Sequence, residues 1–236
     1  MIEQPAIDLS HLPIATHGLI GYWDSLAGAA NKGIPWRDLT GHGLDAMITD
    51  IAVTEDVAVR PGDGFSITNG FDHAQIADSP WLDINNALTI AMSVYYDGDT
   101  KGLFQRDSGA TLGVYECHIS SGQLRFILNA NTGSAYLKSS STVPSNAWSF
   151  LSCTYDKSLG SANMKAYING VQDAATVNYS TAIADASQGA DIGQYAKSNN
   201  AENCKIDFVT LWNRAITLKE HQSLFEQIHV PLHGRP

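Results

Sequence analysis

The sequence predicts an all-β protein in which two antiparallel sheets pack face to face and one helix follows at the C-terminal end. Only 16% of the 236 residues are charged, and turn-forming Gly, Ser, Thr and Asn are frequent, a balance that suits short strands joined by turns. Met164, Ala166 and Ile168 alternate with polar residues and lead directly into Asn169-Gly170. An Asn-Gly pair after such alternation is the strongest short-range signal of a β-hairpin.

The strands are predicted in chain order from alternation and from the turn residues between them. The first core strand runs from Gly18 to Asp24, and a turn cluster rich in Asp and Gly follows at 38–45. Residues 88–96 alternate cleanly and are predicted to form a strand with Leu88, Ile90, Met92 and Val94 on one face, and Asn69-Gly70 predicts a second hairpin. The other strands are expected at 46–59, 65–68, 72–77, 102–106, 111–118, 123–128, 148–155, 190–195 and 205–213.

One helix is predicted at residues 217–228. Thr217 and Glu220 have the spacing of a capping box, in which the two side chains satisfy amides of the first turn. Pro231 is expected to end the helix. One face should pack on the sheets, and it carries Leu218, His221, Leu224, Phe225 and Ile228.

The chain is predicted to form one domain at 18–228, flanked by an arm at 1–17 and a tail at 229–236. Its length fits one large β-sandwich, and no Gly/Ser/Pro linker divides it. The arms carry apolar residues without periodicity, which favours docking on neighbouring copies, with terminal fraying as the alternative. We therefore expect a homo-oligomer.

Composition excludes some classes of partner. A net charge of −10 argues against a broad interface with nucleic acid or an anionic membrane, because both need clustered Lys and Arg. No apolar run reaches the length of a transmembrane helix, and the first 18 residues do not resemble a signal peptide. Cys117, Cys153 and Cys204 lack zinc-site spacing, and Cys117 and Cys153, which lie in apolar strand patterns, are expected to be small buried residues.

Several short motifs follow one another in a fixed order. They are Gly21-Tyr-Trp-Asp24, the turn at 38–45, the run from 65 to 83, the strand at 87–91 and the segment at 206–220, together with the aromatic strand and Asn-Gly turn at 148–170. This order closely resembles the laminin-G-like family of concanavalin A-type domains. The resemblance extends from about Gly18 to about Phe225 and implies a jelly-roll sandwich.

The resemblance implies a binding or scaffold module. Such domains are common as secreted carbohydrate-binding or adhesion modules, as accessory domains of polysaccharide enzymes and as stand-alone proteins of tailed-phage particles. With no partner domain or signal peptide in view, we expect a structural protein of a phage virion, either a capsid decoration protein or a tail component. It would contact other virion proteins and present a lectin-like face to cell-surface glycans. The alternative is a secreted carbohydrate-binding or adhesion module.

Catalysis is not predicted. Concanavalin-like glucanases carry alternating Glu-x-Asp-x-Glu on one strand, which places the acids on one face, and this chain has no such run. Glu202 and Asp207 are five residues apart and would face opposite sides of a strand. The sequence therefore predicts that the protein is not an enzyme.

The resemblance also implies a calcium site. Related jelly rolls often hold Ca²⁺ where the first strand's acidic residue, an Asp/Gly turn and a late Asp converge, which correspond here to Asp24, Asp38, Asp45 and Asp207. Calcium takes six to eight oxygen ligands. The alternative is that Asp38 and the other turn aspartates cap turns and that Asp207 is an outward-facing strand residue. His42, where the family usually has Asn, weakens the metal interpretation.

Three aromatic residues are candidates for stacking on sugar rings. Trp36 and Trp81 lie in predicted loops, and Tyr195 ends a predicted strand. The alternative for the two tryptophans is that they pack the loops onto the edge of the sandwich, since Trp is highly buried on average.

Overall fold

The computed structural model describes residues 16–27, 30–31, 33–49, 58–60, 63–67, 73–106, 113–130, 135–194 and 204–234. Within these ranges the chain forms two antiparallel sheets and a C-terminal helix, which confirms the predicted fold class. The described strands are β1 (Leu19–Trp23), β2 (Ala30–Asn31), β3 (Ala46–Thr49), β4 (Ala58–Arg60), β5 (Gly64–Ile67), β6 (His73–Ile76), β7 (Ala87–Tyr96), β8 (Lys101–Arg106), β9 (Tyr115–Ser120), β10 (Gln123–Leu128), β11 (Ala135–Thr142), β12 (Ala147–Asp156), β13 (Met164–Ile168), β14 (Val171–Val177), β15 (Ala190–Ile192) and β16 (Cys204–Trp212).

The described strands divide into a nine-stranded and a seven-stranded sheet. The nine-stranded sheet has the order β14-β13-β12-β7-β16-β5-β4-β2, and β1 also pairs with β16. The seven-stranded sheet has the order β11-β10-β9-β8-β15-β6-β3. Because strands distant in sequence are neighbours in both sheets, many of the contacts that hold the fold together are long-range.

The hairpin at Asn169-Gly170 is confirmed. Both residues have positive φ, 53° and 74°, and Ile168 pairs with Val171 across the turn. Two positive φ angles are what a type I′ turn requires, and Asn and Gly accept them at low cost. The other predicted hairpin, at Asn69-Gly70, lies outside the described residues. Residues 46–59 do not form one strand, because β3 and β4 belong to different sheets.

The main core lies between the inner faces of the two sheets. Leu88, Ile90, Met92 and Val94 are all buried there, as their alternation predicts. The three cysteines are buried free thiols, which confirms the burial predicted for Cys117 and Cys153. The Sγ atoms of Cys117 on β9 and Cys153 on β12 are 3.6 Å apart, so the two sheets are in direct contact at that point.

The C-terminal helix is longer than predicted. It consists of α1 (Leu218–Leu224), a π-helical segment at Phe225–His229 and α2 (Val230–His233). The predicted capping box at Thr217 and Glu220 is present. Pro231 does not end the helix, because it lies in the first turn of α2, where a missing N–H is tolerated. The predicted free tail therefore begins too early, since residues 229–233 continue the helix.

The helix packs on the outer face of the nine-stranded sheet and forms a second apolar cluster with it. Phe150 and Phe208 on the sheet contact Leu224 and Phe225 on the helix side of this cluster. Leu218 is 44% exposed, so the buried stripe begins at His221. No helix in the described part of the chain is long and apolar enough to cross a membrane.

Candidate functional site

The most exposed of the five tryptophans that the structure describes, Trp81, lies in the loop between β6 and β7. A single 3-10 turn at Pro80–Leu82 forms there, because the Ser79 side chain accepts a hydrogen bond from the Trp81 amide and Pro80 begins the turn. Leu82 is buried and anchors the turn to the core. Trp81 is 47% exposed, so the local structure holds a large aromatic ring at the surface.

One side of the Trp81 indole is supported by His42. The two ring centroids are 3.9 Å apart at an interplanar angle of 33°. His42 is fixed in turn, because its Nδ1 lies 3.0 Å from the Ile20 carbonyl oxygen and 2.9 Å from Thr40 Oγ1. The indole is therefore a supported surface and not a loosely tethered side chain.

Two carboxylates flank Trp81 in the same loop. The buried Arg106, at the end of β8, donates from Nη2 to Asp78 Oδ1 at 2.9 Å, to Asp83 Oδ1 at 3.0 Å and to the Ala186 carbonyl oxygen at 2.8 Å. Both carboxylates remain partly exposed. We call the surface formed by His42, Asp78, Trp81 and Asp83 the Trp81 platform.

The Trp81 platform has the chemistry of a shallow sugar site. A flat aromatic ring offers an apolar surface to the C–H face of a pyranose, and carboxylates accept hydrogen bonds from hydroxyl groups. A few placed polar groups beside an aromatic surface are the usual composition of a small-molecule site. Two carboxylates beside the ring favour an uncharged, hydroxyl-rich ligand over an anionic one.

The other two candidates for sugar stacking do not join the platform. Trp36 is only 1% exposed and packs near Phe65, with ring centroids 6.1 Å apart, so the prediction for Trp36 is wrong. Its backbone pairs with Ala46, which pulls the predicted loop against the sandwich. Tyr195 lies outside the described residues.

Asp38 and Asp45 cap the turn in which they lie. The Asp38 carboxylate accepts hydrogen bonds from the amides of Tyr22, Thr40 and Leu44. Asp45 Oδ1 accepts from the Asp38 amide at 2.9 Å. The two aspartates therefore play the role of Asx residues in turns, which is the alternative that the sequence left open.

Asp24 and Asp207 are likewise engaged by protein donors. Asp24 accepts from the Tyr22 hydroxyl at 2.6 Å and from the Leu26 amide at 2.8 Å. Burial, with Asp24 close by, raises the pKa of Tyr22 far above its usual range and keeps this donor protonated. Asp207 accepts from the Ser25 hydroxyl and lies 2.7 Å from His233 Nε2.

The four aspartates do not fit the calcium ion that the resemblance implies. Calcium needs several converging oxygens that are free to coordinate, whereas these carboxylates accept N–H and O–H hydrogen bonds. Among the residues that the structure describes, no group of three or more His, Cys, Asp or Glu side chains could hold a metal ion.

A second concave feature opens on the outer face of the nine-stranded sheet. It is a cavity of about 220 Å³ between β12, β13 and the residues that precede α1. Lys165 and Tyr167 line it, and the exposed Leu159 and Leu218 lie at its border. This cavity is remote in sequence from the Trp81 platform and is the competing location for a ligand.

The chain belongs to the concanavalin A-like lectin/glucanases superfamily, whose family model matches residues 68–220. No curated protein sequence matches the chain. Three solved structures that resemble it show the fold alone, since their sequences are 14–16% identical to this one.

These three structures illustrate the likeness. Trypanosoma rangeli sialidase in complex with sialic acid matches with a TM-score of 0.63 and 16% identity, over 90% of this chain and 33% of the sialidase chain. A mutant of that sialidase with trans-sialidase activity matches with a TM-score of 0.61 and 15% identity, over 94% and 35%. The ligand-binding domain of botulinum neurotoxin serotype D, in complex with N-acetylneuraminic acid, matches with a TM-score of 0.65 and 14% identity, over 96% and 56%.

The prediction that the protein is not an enzyme is contradicted by the sialidase structures. Proteins that contain this fold include enzymes, so the lack of one alternating acidic run does not exclude catalysis. The chain spans about a third of the length of the sialidases and about half of the neurotoxin domain. The likeness therefore concerns part of each of those proteins.

Proposed function

We propose that the protein is a lectin-like domain that binds a glycan at the Trp81 platform. The observation that carries the proposal is a half-exposed indole held by His42 on one side and flanked by two carboxylates that Arg106 fixes in place. The superfamily to which the chain belongs supports it. Two of the similar structures contain sialic acid or N-acetylneuraminic acid, which is further support for a sugar ligand.

The platform selects for an uncharged sugar. Arg106, at the end of β8, is the cation that pairs with this loop, and Asp78 and Asp83 already engage it. Their two carboxylates disfavour an anionic ligand at this place. A neutral residue at the end of a glycan chain can lie flat on Trp81 while its hydroxyls donate to the carboxylates.

The biological setting remains a prediction. A place in a phage virion, as a capsid decoration or tail component, and the alternative of a secreted adhesion module would both bring the platform to cell-surface glycans. Self-association through the arm at 1–17 also remains a prediction, since most of that arm lies outside the described residues.

Replacement of Trp81 by alanine is expected to weaken glycan binding at least tenfold, because the variant loses the stacking surface while the buried Leu82 still anchors the loop. A tenfold change corresponds to about 1.4 kcal/mol of binding free energy. The measurement is a glycan array followed by titration of the strongest neutral hit against both proteins.

Leu159→Ala is the matched control, because Leu159 is another exposed apolar side chain and borders the competing cavity. We expect this variant to bind like the unmodified protein. A glycan whose binding is lost in Leu159→Ala and kept in Trp81→Ala would place the site at the cavity and overturn the proposal. An array without any glycan hit would overturn it as well.

A further inference from the structure

Two cationic side chains lie side by side on the outer face of the seven-stranded sheet. Arg125 on β10 and Lys138 on β11 are direct cross-strand partners in the register, and alternation places Tyr136 on the same face. The Arg125 guanidinium lies over the Tyr136 ring, 5.6 Å from its centroid. Tyr136 is 41% exposed, so an aromatic ring and two cations meet at one surface near the β11 edge.

Neither cation has an ionic partner within the described residues. Like charges directly opposite each other on adjacent strands are destabilising. This pair persists in a chain that carries an excess of ten negative charges, so carboxylates are not scarce. Without an ionic partner among the described residues, the two cations form a surface that is complementary to an anion.

The neighbouring titratable groups on this face do not supply the missing charge. His118 on β9 is the partner of Arg125 on the other side. Burial, with Arg125 close by, lowers the pKa of His118 to about 3, so this imidazole is neutral. Burial raises the pKa of Glu116 to about 7, so this carboxyl group is only partly ionised near neutrality. Its Oε1 lies 4.0 Å from His118 Nδ1 and has no hydrogen-bond partner.

We infer that Arg125, Lys138 and Tyr136 form a second site, which binds the carboxylate of an acidic sugar. Arg binds a carboxylate through two parallel hydrogen bonds, and Lys adds a compact positive charge. The half-exposed Tyr136 supplies the surface against which the sugar ring packs. Two cations are too few for nucleic acid, whose binding depends on many phosphate contacts.

This site rests on the proposed function only because its ligand is also a glycan. It differs from the Trp81 platform in its location and in the charge of its ligand. β11 lies five strand positions from β6, which leads into the Trp81 platform. At a spacing of about 4.8 Å between strands, the two sites are separated by roughly 24 Å. A neutral residue at one site and an acidic residue at the other therefore belong to separate binding events or to distant parts of one glycan.

The test is to titrate the full chain with free N-acetylneuraminic acid and, separately, with glucuronic acid, and to monitor binding by NMR. Arg125→Gln and Lys138→Gln are each expected to weaken binding at least fivefold. Lys219→Gln, which removes a charge from the exposed face of the helix, and Trp81→Ala should leave it unchanged. The methyl ester of N-acetylneuraminic acid, which lacks the negative charge, should bind at least fivefold more weakly than the free acid.

Four results would overturn the inference. They are the absence of binding by both acidic sugars, equal binding of the acid and its methyl ester, equal binding of acetate and the acidic sugars, and loss of binding in Trp81→Ala but not in Arg125→Gln. Melting curves show that each variant is folded. Loss of neutral-glycan binding in Trp81→Ala is measured separately, so either site can fail without the other.

Discussion

Lowering the pH from 7 to 5 is expected to reduce the free energy of unfolding by roughly 4 kcal/mol, through three buried histidines. Burial lowers the pKa of His118 and His221 to about 3 and that of His229 to about 4. In the unfolded chain these imidazoles titrate near 6.5. Between the folded and unfolded pKa values, the unfolded chain binds more protons than the folded chain. The stability that the three neutral histidines contribute is therefore complete above pH 6.5, and it is lost as the pH falls toward their folded pKa values.

Glu116 acts in the opposite direction. Its pKa rises from 4.5 to about 7 in the folded chain, so its contribution to stability is complete below pH 4.5 and is lost as the pH rises through 7. It offsets part of the histidine effect, and the figure of roughly 4 kcal/mol is the net of all four groups. Glu116→Gln should therefore make the loss between pH 7 and 5 larger.

The measurement is urea unfolding at both pH values, with His221→Phe as the matched variant. His221 stacks on Tyr167 with centroids 3.7 Å apart, and neither ring nitrogen has a hydrogen-bond partner. Phenylalanine keeps the stack and removes the titration, so the loss should shrink by about 2 kcal/mol. An unfolding free energy that is equal at the two pH values, or higher at pH 5, would contradict this account.

Asp207→Ala is expected to destabilise the fold by about 3 kcal/mol, because it removes the shared hydrogen-bond partner of two buried side chains. The Asp207 carboxylate on β16 joins the Ser25 hydroxyl to His233, at the end of α2. His233 also stacks flat on Trp148, with centroids 3.8 Å apart and an angle of 11°. Without the carboxylate, His233 Nε2 loses its partner inside the protein, and the end of the helix loses its attachment to the sheet.

Asp156→Ala is the control for this second prediction. Asp156 caps the 3-10 turn at Lys157–Leu159 through its Oδ1 atom and lies nearer the surface. Loss of such a cap costs about 1 kcal/mol. If urea unfolding shows that Asp207→Ala is no more destabilised than Asp156→Ala, the buried pair does not hold the helix.

The sequence was sufficient for the features that depend on nearby residues. The hairpin at Asn169-Gly170 and the capping box at Thr217 and Glu220 are each specified by residues a few positions apart, and both are confirmed. Alternation identified the strand β7, because period two is preserved wherever one face of a strand is buried. The resemblance then supplied the jelly-roll architecture that these local signals do not determine.

The site depended on contacts that no local pattern encodes. The sequence singled out His42 as a departure from the family and Trp81 as a loop aromatic, but their stacking joins two loops that are about forty residues apart. Arg106 was missed, because a charged residue at a strand end gives no sign that it is buried between two carboxylates. Pro231 was wrongly predicted to end the helix. Nothing in the sequence indicated the π-helical segment at Phe225–His229, which leads into α2 and places Pro231 in the first turn of α2.

The most direct test of glycan binding at the Trp81 platform is the NMR signal of the Trp81 indole N–H during titration with the strongest neutral glycan. The chain has five tryptophans, and Trp81→Phe assigns the resonance in question. We predict that the Trp81 signal shifts and saturates with the glycan, while the signals of the buried Trp23, Trp36 and Trp212 stay in place. Saturable binding with an unmoved Trp81 signal would contradict the proposal.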